Sequence, residues 1–142
     1  MGIGEILWEG KGRTQIMIVR NVDAGGVEVE FTWSGDVKGR GKAKGVDGTI
    51  VFTGRKLAPL SGLGKGTTTG QGLMFTSKDM VAIKSSGYGN PKWKRTKSVE
   101  LWSFLTSSRK LKWINEIVAV VTQEGDPAWK EFEIEINEWK QE

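Results

Sequence analysis

The chain has no cysteine and no histidine among its 142 residues. Without thiols there are no disulfides, no thiolate metal sites and no cysteine nucleophile. Without imidazole the usual general base, the serine–histidine–acid triad and the commonest ligand of zinc, copper or iron are also gone. Proton chemistry is left to carboxylates, lysines, the single tyrosine Tyr88 or a group brought from outside. Long apolar runs are missing too. The opening stretch MGIGEILWEGKGR carries acids early, so it reads as neither a secretory signal nor a membrane span. These absences predict a cytoplasmic protein with no metal and no cofactor, lean away from an enzyme, and assign no residue a catalytic role.

What is present fits one domain over residues 1–142, since 37% hydrophobic residues suffice for a core at this length. The net charge of +4 hides an asymmetry. From Glu116 to Glu142 there are eight acids against two bases, a net of −6, which leaves +10 for residues 1–115. Either a polyanion-binding body carries an acidic tail, or two oppositely charged surfaces pair within one fold. The acidic segment alternates like a strand, which favours the second.

Alternation with period two dominates. In VEVEFTW, Val27, Val29, Phe31 and Trp33 share one face while Glu28, Glu30 and Thr32 share the other. Phe132, Ile134 and Ile136 alternate in the same way with Glu131, Glu133 and Glu135. Similar runs cover 14–20, 38–44, 49–54, 67–76, 80–85, 98–106 and 117–123, with turn signals such as NVDAGG, TSKD and EGDP between them. Roughly eight to ten short strands, spaced by about 8–12 residues, predict an all-β sandwich or barrel. One short helical turn is expected near 108–115, where Ser108 would cap it and Leu111 and Ile114 would share a side. TQIMIVR and INEIVAVV are apolar on both faces. Each must be covered, either by the helix or a loop or by a second copy, which makes 14–20 and 114–121 the candidate homo-oligomer contacts.

The glycines of SGLGKGTTTGQG do not form a phosphate loop. Gly66 follows Lys65 where a magnesium-binding hydroxyl belongs, and the residues after it favour a strand over a helix. Small residues instead recur at alternate positions, Gly70 and Gly72, and Gly39, Gly41, Ala43 and Gly45. They strip one strand face bare, which suits a tightly curved closed barrel filled by aromatics from elsewhere. With acids outside, the interior would take Val27, Val29, Phe31, Trp33, Gly39, Gly41, Ile50, Phe52, Leu73, Phe75, Val81, Ile83, Phe132, Ile134 and Ile136. Extending the Leu73–Phe75 face backwards brings Thr69 and Gln71 inward, where a buried hydroxyl and amide need partners in protein, water or ligand. In 98–106 an aliphatic and an aromatic face compete. If the aromatic face turns inward, Glu100 enters the barrel as a candidate acid or base.

Outside, Arg40, Lys42 and Lys44 would share one side of a strand. The segment from Lys84 to Lys97 adds Lys92, Lys94 and Arg95 beside Tyr88 and Trp93 with no acid. Cations interleaved with aromatics are what single-stranded nucleic-acid binders use, though the same segment could be a flap over a barrel mouth, and the lysines could simply protect strand edges.

The segment LWSFLTSSRKLKWINEIVAVVTQEGDPAWKEFEIEINEWK resembles the C-terminal part of small uncharacterised barrels. FTWSGDVKGRGKAKGVDGTIVFTG is similar to their glycine-spaced central strands. Those barrels are similar in architecture to allene oxide cyclase and the calycins. The resemblance implies a closed antiparallel barrel of eight strands with a short helical turn, often oligomeric, in a family whose members mostly lack a known function. Allene oxide cyclase itself binds a fatty-acid epoxide inside its barrel, and none of its catalytic residues can be carried over here. The expectation is a barrel that binds a small, largely apolar molecule in its interior or mouth through Trp8, Trp33, Thr69, Gln71, Glu100 and Trp102. Single-stranded nucleic-acid binding and a cofactor-free cyclase or isomerase stand as alternatives.

Overall fold

The structure, a computed structural model, describes residues 2–88 and 97–140, without the side chain of Tyr88. Eight antiparallel strands close into a barrel in chain order, each paired with its sequence neighbours and the last with the first. They are β1 (Gly2–Asp23), β2 (Gly26–Gly39), β3 (Gly48–Ala58), β4 (Thr67–Phe75), β5 (Met80–Tyr88), β6 (Lys97–Leu105), β7 (Val118–Gly125) and β8 (Glu131–Lys140). Closure removes the open edges of the sheet except where β1 runs on beyond its pairing with β8. Among the described residues, no helix is long and apolar enough to cross a membrane.

Most alternating runs fold as their patterns require. Trp33, Ile50, Phe52, Val81, Ile83, Phe132, Ile134 and Ile136 all face the core. On β6 the aromatic face turns inward, so Trp102 and Phe104 are buried while Leu101 and Leu105 are exposed. Trp102 stacks on Phe52 with centroids 5.7 Å apart, and Trp33 packs on both rings. The expected helical turn is a 3-10 turn over Lys112–Glu116 capped at Leu111 without a side-chain bond, and the Ser108 hydroxyl instead accepts from the Leu111 N–H at 3.2 Å just before it. Leu111 and Ile114 are buried beneath it.

Three expectations are corrected. β4 faces the other way: Thr68 and Met74 are buried, whereas Thr69, Gln71 and Phe75 are exposed and Leu73 is half-buried. The reason lies across the barrel wall. A Cβ on Gly70 would meet the Phe52 ring at 2.5 Å, and one on Gly72 would meet it at 3.0 Å, so these glycines face inward to make room for Phe52. Leu73 instead joins an outer cross-strand row, Val51–Leu73–Ala82–Leu105. Second, 38–44 is not one strand. β2 ends at Gly39, and a 3-10 turn over Gly41–Ala43 tucks Ala43 into the core while exposed Gly41 takes φ +50°. Third, the strand expected at 14–20 is part of a strand that begins at Gly2.

β1 pairs with β8 only as far as Arg13, while its pairing with β2 runs on to Asp23. Beyond Thr14, whose N–H still donates to the Lys130 carbonyl at 2.9 Å, it projects with one edge unpaired, bent by extra residues at Gln15 and Arg20. Another extra residue, Leu7 opposite β8, lets consecutive Leu7 and Trp8 both enter the core. By contrast 114–121 is largely covered, with Ile114, Ala119 and Val121 buried.

Candidate ligand site at the polar end of the barrel

An up-and-down barrel has two ends, and here they differ in chemistry. The 3-10 turns Gly41–Ala43 and Lys112–Glu116 lie on connections at the end that holds the β2–β3 and β6–β7 links. They plug it with Ala43, Val46, Leu111 and Ile114. Trp8 belongs to this apolar end. Its indole N–H donates to the Val46 carbonyl at 2.8 Å and its ring stacks on Trp113. Trp8 is a fully buried core residue whose polar atom is satisfied within the protein.

Towards the opposite end the inward positions turn polar. Lys56, Thr68, Ser85, Ser98, Glu100 and Gln123 are all buried. Strand register sets Lys56 beside Thr68, Thr68 beside Gly87 and Gly87 beside Glu100, one transverse row across the inner wall. Gly87 leaves space that Glu100 fills, since a Cβ there would lie 2.8 Å from the glutamate Cγ. The Glu100 carboxylate accepts from the Ser85 hydroxyl at 2.7 Å and from the Trp102 indole N–H at 2.8 Å, both on Oε1. Trp102 thus stands behind the site and orients its acid.

Lys56, Glu100, Gln123, Trp33 and Trp129 line one cavity of about 30 Å³, with Phe31, Leu63, Thr14 and Met17 towards its rim. That is room for one or two waters, as expected where eight strands leave an interior just filled by side chains. Its polar lining is dominated by donors. The Trp33 and Trp129 indole N–H groups and the Gln123 amide nitrogen are buried with no partner among the described residues. Buried donors are nearly always satisfied, by protein, water or ligand. The Lys56 ammonium sits 5.1 Å over the Trp129 ring. Burial pushes its pKa below the ordinary lysine value, while the Glu100 carboxylate acts in the opposite direction.

Trp129 is held there by a small device. Asp126 accepts backbone N–H bonds from Ala128 at 2.9 Å, Glu131 at 3.1 Å and Lys130 at 3.2 Å. These bonds, with that of Glu131 foremost, keep the Asp126 carboxyl below the usual carboxylate range. Trp129 takes φ 56°, a left-handed conformation rare for a bulky residue, and the turn directs its ring onto Phe132 and Lys56.

A lysine buried against its preference should be replaceable with a gain in stability. Lys56→Met is expected to melt about 4 °C higher at pH 7, the shift that ~1 kcal/mol produces in a domain of this size. The sign of the pH dependence follows from the lowered pKa. Between the folded value and the ordinary 10.5, the unfolded chain binds the extra proton, so native stability rises with pH through that window. The advantage of Lys56→Met should therefore shrink towards pH 10, as read by urea melts across the alkaline range. An advantage constant with pH would show that Lys56 titrates normally.

Of the six ligand contacts expected from sequence, the structure brings Trp33 and Glu100 into the cavity and Trp102 behind it. Trp8 is at the far end, and Thr69 and Gln71 are outside. Lys56, Gln123 and Trp129 were missed. The first two were within reach, because continuing the Ile50–Phe52 and Ala119–Val121 alternations by period two places Lys56 and Gln123 inward. The basic surface is also rearranged. Arg40 pairs with Glu9 at 2.8 Å and Lys42 with Glu138 at 2.8 Å, so they do not form a free cationic stripe with Lys44 on one strand. Lys97 is exposed at the start of β6, and Lys92, Trp93, Lys94 and Arg95 lie outside the described residues.

No protein-family model and no curated protein matches the chain. Solved structures do. A protein of unknown function from Clostridium acetobutylicum superposes with a TM-score of 0.76 at 14% identity, over 99% of this chain and 100% of that one. A β-barrel-like protein from Acinetobacter baumannii gives 0.73 at 15% identity, over 98% and 96%. An enzyme from Penicillium herquei gives 0.67 at 17% identity, over 94% and 92%. At such identities the likeness is one of fold, and this chain's closed eight-stranded barrel superposes on proteins described as of unknown function and as β-barrel-like.

Proposed function

We propose that this protein binds a small, largely apolar molecule whose oxygen end enters the polar cavity between Lys56, Glu100, Gln123, Trp33 and Trp129. The observation that carries the reading is that three residues with unpartnered buried N–H donors, Trp33, Gln123 and Trp129, line the same cavity as a lysine. Such a lining favours a carbonyl, carboxylate or hydroxyl oxygen over a hydrocarbon end. The apolar body of the ligand would lie on Phe31, Leu63 and Met17, which are partly exposed at the rim. A ligand larger than a few atoms requires the Trp129 turn or the Leu63 turn to give way.

Native mass spectrometry of gently purified protein is the direct test, followed by titration with hexanol, hexanal and hexanoate. A small mass lost on denaturation, or saturable binding of at least one probe that weakens in Gln123→Leu, is the expected result. A clean apo mass together with no saturable binding would overturn the reading.

We also infer self-association through the projecting part of β1. Ile16, Ile18, Val19 and Val22 are 42–63% exposed, on both faces of a strand whose outer edge is unpaired. A second copy offers the same edge, so antiparallel pairing is self-complementary. Light scattering is expected to give a mass above the 15.7 kDa of one chain, and the double variant Ile18→Lys, Val19→Lys should return it to that mass. A wild-type mass of one chain excludes the contact.

A further inference from the structure

We propose that Lys56 is a nucleophilic amine that forms a reversible imine with the carbonyl carbon of an aldehyde or ketone ligand. This rests on the binding reading above and names the ligand class of that site.

The geometry assembles the parts such a reaction needs. Lys56 is the buried lysine of the inner wall, 7% exposed, on the row that carries Glu100. It has no hydrogen bond or ion pair among the described residues, which leaves its nitrogen uncommitted except for the Trp129 face. A structural lysine in such a place would be expected to sit in a salt bridge. The three unpartnered donors supply what a structural reading leaves unexplained. As the amine attacks, the C–N bond forms and the carbonyl π pair moves onto oxygen. The indole and amide N–H groups of the residues that line the cavity are the kind of preorganised dipoles that stabilise that developing charge.

The remaining steps are proton transfers. One proton passes from nitrogen to oxygen to give the neutral carbinolamine. A second protonates the hydroxyl, water leaves with the C–O bonding pair, and the nitrogen lone pair closes the protonated imine. Nothing is oxidised or reduced, and counted from the ammonium form of Lys56, which supplies the second proton when it becomes the free amine, the net result is ammonium plus carbonyl giving protonated imine plus water. Glu100 is the acid nearest in role, able to carry a proton between the two atoms and to remain as counter-charge to the iminium. Its carboxylate is already oriented by Ser85 and Trp102. Burial also raises the neutral-amine fraction of Lys56. An exposed lysine, with pKa about 10.4, is neutral in only about one molecule in 2,500 at pH 7. Each unit by which a lysine titrates lower gains about tenfold in reactive amine there.

The test is reductive trapping on the full chain with hexanal and sodium cyanoborohydride at pH 7, read by intact mass and peptide mapping. Non-covalent binding of hexanal and hexanol is measured in parallel, without reductant, by tryptophan fluorescence. The expected result is one dominant hexyl adduct on Lys56, formed faster than on the average exposed lysine, and lost in Lys56→Met. Saturable binding with adducts scattered over the exposed lysines would overturn the imine and leave the binding reading standing. Scattered adducts with no saturable binding would remove both. The wild-type peptide map decides the matter independently of the variant.

Discussion

Gly39→Val is expected to cost about 3 kcal/mol, at the upper end of overpacking penalties, and to lower the melting temperature by roughly 10 °C. A Cβ at this position would run into the Ala43 carbonyl and lie 2.6 Å from that of Val46. Both obstacles are backbone and neither can rotate away. The junction is pinned on other sides as well. The Gly39 N–H donates to Asp47 at 3.0 Å, and the Val46 carbonyl already accepts the Trp8 indole. Relief for the valine would break one of these bonds or open the apolar plug. Gly41→Val is the informative contrast. Its added carbon meets only the flexible Glu5 carboxylate, at 2.7 Å, and the cost is the strain of a β-branched residue at φ +50°, about 1–2 kcal/mol. Urea melts should rank the two variants in that order. Parent-like melting of Gly39→Val would mean that the close approach at the end of β2 does not hold in solution.

Glu100→Ala is the second substitution with a large expected effect, about 3 kcal/mol. It strands the Ser85 hydroxyl and the Trp102 indole N–H without their acceptor and removes the negative group opposite Lys56. Glu100→Gln keeps an oxygen in place and should lose much less stability. Near-ultraviolet circular dichroism reports the same event at Trp102, which loses the bond that fixes its ring between Phe52 and Trp33. Unchanged melting and an unchanged aromatic spectrum in Glu100→Ala would show that the carboxylate does not organise this end of the barrel.

The closed barrel was legible wherever side chains alternate cleanly, because one buried face suffices to set a strand. It was less legible where glycine alternates. On β4, Leu73 and Phe75 look like the buried face until Phe52 is placed opposite. Its ring occupies the space, and the glycines have to face it. Bare strand faces reveal that something large lies opposite, without revealing which face of their own strand is bare for that reason. The first half of β1 was hidden by glycines and charges in GIGEILWEGKGR, and is held as a strand by pairing on both sides instead of by its own pattern. Within the site, Trp33 followed from alternation, Glu100 stayed open because two faces of 98–106 compete, and Lys56 lay two residues beyond the strand limit drawn from sequence. Trp129 had no such route. Its place depends on a left-handed backbone and on Asp126 gathering three amides, which no periodicity encodes.

The pairing of β1 with β8 has a consequence for how the protein comes into being. Arg13 meets Glu131, so the seam of the barrel joins segments separated by nearly the whole chain. The cavity draws on residues from Thr14 to Phe132 and has no shorter version of itself. While the ribosome is still making β7 and β8, the earlier strands form at most an open, twisted sheet with its aromatic face uncovered. Folding to the closed state waits for the last strand to emerge, a slow, non-local event during which that face is exposed to aggregation or to a chaperone. A ligand that needs the finished cavity would therefore bind only completed chains, and by binding would favour closure over re-opening of the seam.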